Sequence, residues 1–218
     1  MPVSDELVAW ANRMLPGAIG NRDTLHSGYQ RVYELWLKAD AARDKCDLTP
    51  IVEAMLHWVF VFRDIANVEI AILKAFDDDV LLRTLQKTHC VMIYAFLEKW
   101  PGMLDSGALG AVRKRFPVLV DASNETKLAF SDFNAKWRVQ LFEIRDQAGG
   151  HYENAIKMDE IWRRFTLKLF LELITDFREL ERPFVEYVGR TLKESEKILK
   201  RSVNSRVGRM CEASSAIG

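Results

Sequence analysis

Arg145, Asp146 and His151 are the residues of this chain whose types and spacing best suit chemistry. They lie in the stretch 144–153, Ile-Arg-Asp-Gln-Ala-Gly-Gly-His-Tyr-Glu, which joins two long amphipathic segments. A guanidinium is a permanent cation with a planar donor fork that holds phosphate oxygens in bidentate fashion. An imidazole titrates near neutrality and serves as base or acid. Together they supply what metal-free RNA cleavage needs: a base for the ribose 2′-hydroxyl proton and a fixed charge facing the phosphorane. Asp146 is placed to orient either partner. In one unbroken helix a six-residue offset turns two side chains about 120° apart; a break at Gly149-Gly150 lifts that limit. Arg83 and His89 share the spacing, but within a segment that reads as continuous helix. The plain alternative for Arg145 and His151 is an arginine at a helix C-terminus followed by a surface-loop histidine.

Arg145-Asp146-x4-His151, followed by Tyr152 and flanked by helical segments, resembles the signature of the HEPN superfamily. That signature is an arginine, a polar residue and then a histidine four to six residues after the arginine. The polar residue is often asparagine, and here it is aspartate. The resemblance covers the motif and the general helical layout, and leaves the first hundred residues without a counterpart. It implies a small helical bundle acting as a metal-independent endoribonuclease that needs no cofactor, with Arg145, Asp146 and His151 in the site. It further implies a homodimer in which two motifs face each other, RNA as substrate, and a toxin or defence effector with a protein antitoxin or regulatory partner.

Three other constellations carry a chemical and a structural reading each. Lys193, Lys197 and Lys200 form one helical stripe that can guide RNA, or simply solubilise a helix face. Glu53, His57 and Asp64 fall on one face of one helix. Carboxylate and imidazole together can bind metal, but no second ligand helix is evident, so no metal site is expected and a solvated polar face fits better. Trp58, Phe60, Phe62, Trp137, Trp162 and Phe165 can stack bases, although helical bundles bury such rings routinely. No phosphate-binding glycine loop and no nucleophile-elbow motif occurs, which sets aside nucleotide-fold enzymes and α/β-hydrolases.

The elements that must position these residues follow from composition and periodicity. The chain has 218 residues, 49% hydrophobic and 28% charged, with formal net charge zero. That suffices for one core and lacks the basic excess of a dedicated duplex-DNA binder. Cys46, Cys90 and Cys211 are too few and too far apart for a zinc site or a disulfide framework. Reduced thiols and an N-terminus without a signal-peptide pattern point to a cytoplasmic protein. The most apolar stretch, 51–76, contains Glu53, His57, Arg63, Asp64 and Glu69, so no membrane span is expected.

Apolar residues recur at three- and four-residue steps throughout, and no segment alternates as a strand does. The expected fold is an all-α, single-domain bundle of five to seven helices without a sheet, covering 1–201, with a polar, frayed tail at 202–218. One helix is expected over about 4–14, stopped by Pro16-Gly17 and Gly20-Asn21, and a second over 23–45. Thr49 caps a third, with Pro50 in its first turn. Asp77-Asp78-Asp79 caps a fourth that stops at Pro101-Gly102. A short helix is expected near 109–116, and another from Ser123 or Asn124 through Gln147. A long one begins near 158, is interrupted by Pro183 and resumes to Arg201. A helical protein of neutral charge fits a second function class as well, a non-catalytic interaction or regulatory protein that binds a partner protein.

Overall fold

Two long apolar stripes organise the molecule, and both run through residues that locally oppose a helix. In the computed structural model the backbone is described for residues 5–42, 48–76, 78–105, 112, 114–149, 160 and 163–215, with side chains as far as 201 except at 5, 7, 100–105 and 147–149. Among the described residues five long helices are present: α1 (Asp5–Ala41), α2 (Thr49–Lys74), α3 (Asp79–Asp105), α4 (Val120–Gly149) and α5 (Leu167–Ser215). A 3-10 turn, Pro117–Leu119, leads into α4. No strand occurs among the described residues, and the fold is the expected all-α, single-domain bundle.

The first stripe is on α1. Ala11, Ala18, Leu25, Val32 and Ala39 are all buried and lie seven residues apart. The expected break at Pro16-Gly17 and Gly20-Asn21 is absent, because one 37-residue helix runs through it. Pro16, Gly17 and Gly20 point to solvent. The carbonyl that a proline leaves without its donor therefore meets water. The small stripe meanwhile keeps α1 packed along α2.

The second stripe is on α5. Phe170, Leu173, Phe177, Leu180, Phe184 and Tyr187 alternate steps of three and four, and all are buried. This 49-residue helix passes straight through Pro183, where an interruption was expected. Burying about six large side chains on one face outweighs the roughly 3 kcal/mol that an interior proline costs. Residues 160, 163 and 164 are helical, but the chain bends at Phe165 and the long helix starts at Leu167; the hydroxyl of Thr166 accepts from the Leu169 amide at 3.3 Å and serves as its N-cap.

Other boundaries move by smaller steps. Asp78 caps α3 as expected, its Oδ1 accepting from the amides of Val80 and Leu81 at 3.1 and 3.0 Å. Leu48, not Thr49, is the N-cap of α2, and no side chain caps it. α3 runs past Pro101 to Asp105. α4 starts at Val120, so Ser123 is a buried residue inside the helix and not its cap.

The helices meet around a phenylalanine cluster. Phe62 on α2 lies 5.3 Å from Phe96 on α3 and 5.8 Å from Phe177 on α5, between ring centroids. Phe133 of α4 closes on Phe177 at 5.8 Å. Trp58, Phe62, Trp137 and Phe165 are therefore core residues rather than a stacking platform. Trp162 lies outside the described residues, and Phe60 alone of the described set is exposed. α4 and α5 run antiparallel, as shown by Thr126 against Pro183, Lys136 against Glu172 and Trp137 against Asp176.

Candidate functional site

The motif stands at the C-terminal end of α4. Ile144 is buried and pins the last turns of the helix to the core, while Arg145 and Asp146 beside it are exposed. The Arg145 guanidinium is engaged on the α3 side. Its Nη1 is 3.5 Å from Glu98 Oε1, and its Cζ lies 5.1 Å from the Tyr94 ring centroid. The Tyr94 hydroxyl donates to the same carboxylate oxygen at 3.0 Å. Burial, followed by that hydrogen bond to Glu98, pushes the Tyr94 phenol above its ordinary range. Arg145 is 46% and Glu98 41% exposed. A pair so open to water contributes about 0–1 kcal/mol, so a phosphate can displace the carboxylate. The helix carries on through Gly149, two residues further than expected. His151 lies outside the described residues.

The lysine stripe is elsewhere. Lys193, Lys197 and Lys200 are exposed on α5. The antiparallel register puts Thr126 beside Pro183. From that level Arg145 lies in one direction and the lysines in the other. At 1.5 Å per residue the two are roughly 45–55 Å apart along the bundle. The stripe also carries its own counter-charges: Lys197 is 2.6 Å from Glu194, and Glu196 is 3.8 Å from Arg31. The structure thus does not bring the two basic features of the sequence to one place.

Of Glu53, His57 and Asp64, only the last two border a common hollow. Glu53 accepts from the Trp36 indole at 3.4 Å. Asp64 pairs with Arg63 at 3.2 Å. His57 and Asp64 border a shallow hollow with Met92, Phe96 and Lys99. Burial and then the Lys99 charge lower the His57 pKa, favouring the neutral ring. Among the described residues no group of three histidine, cysteine or acidic side chains is arranged to hold a metal ion.

A buried polar cluster that no motif or spacing singles out lies between α1, α2, α3 and α5. Glu69, 2% exposed, uses both carboxylate oxygens. His89 Nε2 is 3.2 Å from Oε1, and Arg178 Nη2 donates to Oε2 at 2.7 Å. His89 is fully buried, its ring 5.5 Å from that of Phe170, and its Nδ1 has no partner. Nearby, Asn21 donates to Glu181 Oε2 at 3.1 Å. Burial raises the Glu181 pKa to about 7; Glu69 adds to the rise, while Asn21 and Arg178 oppose it. Above Glu69 and Arg178 opens a cleft of about 260 Å³ with mainly apolar walls, among them Trp10, Met14, Leu73, Leu171 and Ile174. One sequence signal does exist, an acid at 69 inside the most apolar segment of the chain. Such an acid must find partners when buried.

Comparison with models of known protein families, with curated proteins and with solved structures gives no match for this chain. The resemblance at 145–151 therefore rests on the motif residues themselves.

Proposed function

We propose that this chain is a metal-independent endoribonuclease of HEPN type, active as a homodimer. His151 takes the proton of the ribose 2′-hydroxyl, and the 2′-oxygen then attacks phosphorus while the bond from phosphorus to the 5′-oxygen breaks, the departing oxygen taking up a proton from water to leave as a 5′-hydroxyl. Arg145 stabilises the charge on the phosphorane, and Asp146 orients one of the two. The observation that supports this reading is the state of Arg145. Its guanidinium is half exposed at the end of α4, stacked on Tyr94 and steered by Glu98, one turn before the glycine pair. An arginine held in this way loses less freedom on gripping a phosphate than a freely rotating one. Because of their distance from Arg145, Lys193, Lys197 and Lys200 serve only as an outlying contact for long RNA.

Incubation with mixed RNA in EDTA tests the proposal. Cleavage should persist and leave 2′,3′-cyclic phosphate ends. His151→Ala should lose on the order of a hundredfold in rate, as removal of a general base does. Arg145→Lys should fail too, because an ammonium cannot reproduce the planar fork. Undiminished cleavage by His151→Ala, or an absolute need for a divalent metal, would sink the proposal.

A second reading, a non-catalytic module that binds a partner protein, is favoured by one feature. Tyr29, Tyr33, Trp36 and Phe60 form a ladder on the outer side of α1 and α2, with successive ring centroids 5.9–6.3 Å apart. Arg63 lies over Tyr29 and Phe60 at 4.8 and 4.7 Å. Tyr33 and Phe60 are each 42% exposed. Aromatic and arginine side chains of this kind anchor protein interfaces.

A further inference from the structure

We infer that the cleft between α1, α2 and α5 binds a small organic acid, its carboxylate on Arg178 and Arg182 and its apolar body among Trp10, Leu73, Leu171 and Ile174. Both arginines border the cleft, four residues apart and so on one side of α5. Arg178 spends Nη2 on Glu69, whereas its buried Nε has no acceptor. The Arg178 side chain is nonetheless 30% exposed and borders the cleft, where a carboxylate reaches it together with Arg182. Glu69 does not meet an incoming anion as a bare charge, since His89 and Arg178 engage both of its oxygens. Glu179 also borders the cleft, so its two arginines face two carboxylates, one of them the already paired Glu69. Immediately alongside, sharing Trp10 and Leu171, a second depression adds Arg13 and Glu6. Apolar walls with a few convergent polar groups mark a small-molecule site, and they disfavour strongly hydrated ions such as free phosphate. A guanidinium matches a carboxylate in shape and charge. None of this depends on the RNA chemistry proposed for α4.

Calorimetric titration of the full-length protein tests the inference with four probes that share one chain: octanoate, octyl phosphate, octan-1-ol and octyltrimethylammonium. Octanoate should bind saturably at one site, and the alcohol and the ammonium roughly tenfold or more weaker, as loss of a charge-assisted hydrogen bond predicts. Ile174→Trp, which fills the cleft, and Arg182→Gln, which removes a cation while leaving the Glu69 pairs intact, should each weaken octanoate by about tenfold. Thermal unfolding of both variants should remain cooperative, which separates lost binding from lost folding. Octyl phosphate binding more tightly than octanoate, octan-1-ol binding as tightly, or an affinity that neither variant changes would each overturn the inference.

Discussion

Glu181 couples the stability of this protein to pH. Its carboxyl is buried, and its pKa rises from the ordinary 4.5 to about 7, chiefly through loss of hydration. The folded state therefore holds a proton that the unfolded chain has released across that interval. Stability must fall as pH rises from about 4.5 through 7, and level off above. The size is on the order of a few kcal/mol, since each tenfold gain in proton affinity on folding corresponds to about 1.4 kcal/mol. Chemical denaturation at pH 5 and pH 8 should show this loss in the native chain, and Glu181→Gln should remove most of it. An equal slope in both proteins would mean that the carboxyl is ionised throughout. Nothing local in the sequence marks this residue. Its partner Asn21 is 160 positions away, and Glu69 reaches Arg178 across 109. Arg145 is legible in the sequence because its motif is contiguous; the Glu69 cluster is not, because only the fold assembles it. The Arg83-x5-His89 spacing shows the converse. Arg83 is exposed and pairs with Asp79, while His89 is buried against Glu69, so equal spacing leads to unrelated surroundings.

At the level of elements, the long helices that periodicity marks are present, and the largest departures lie where a single proline or glycine outweighs periodicity in the sequence reading. Proline and glycine report a local cost of helix formation, whereas the stripes on α1 and α5 report a gain spread over many turns. The alanines at 11, 18 and 39 are inconspicuous as core residues because they are small, yet with Leu25 and Val32 they carry a periodic signal that bridges Pro16 and Gly20. Two substitutions in α1 should separate the local and the distributed effects. A Cβ added at Gly20 meets nothing within 4 Å, and no residue there has a positive φ. Gly20→Ala should therefore stabilise by roughly 0.5–1 kcal/mol through the usual helix preference. Two residues earlier, Ala18 is 2% exposed on the face packed toward α2. Ala18→Leu should destabilise by about 1–3 kcal/mol through overpacking, although leucine is nearly as good a helix former. Urea midpoints of the two variants moving in the same direction would mean that α1 does not pack as one continuous helix.

For the whole molecule, the outward side of α4 bears on assembly. Leu128, Val139 and Phe142 are 65%, 68% and 45% exposed and lie on one side of the helix, with Ala135 between them. Helical angles at 100° per residue place Arg138 and Arg145 along one margin of this ridge, and Asp132 and Glu143 along the other. The charge pattern selects an orientation for a second copy. Two such helices related by a two-fold axis parallel to them set the basic margin of each against the acidic margin of the other. An antiparallel pair sets like against like. Parallel packing also leaves the two Arg145 residues at the same end, as a site shared between subunits requires. Light scattering of the native chain should then give about 50 kDa, twice the 25.1 kDa of the monomer. Val139→Asp combined with Phe142→Ser should shift the population toward monomer, because a charge in the centre of an apolar ridge must be desolvated to pair. RNA cleavage should fall in step with dimer content. A variant that becomes monomeric but still cleaves at the native rate would show that each subunit carries a complete site and that the α4 ridge serves another contact.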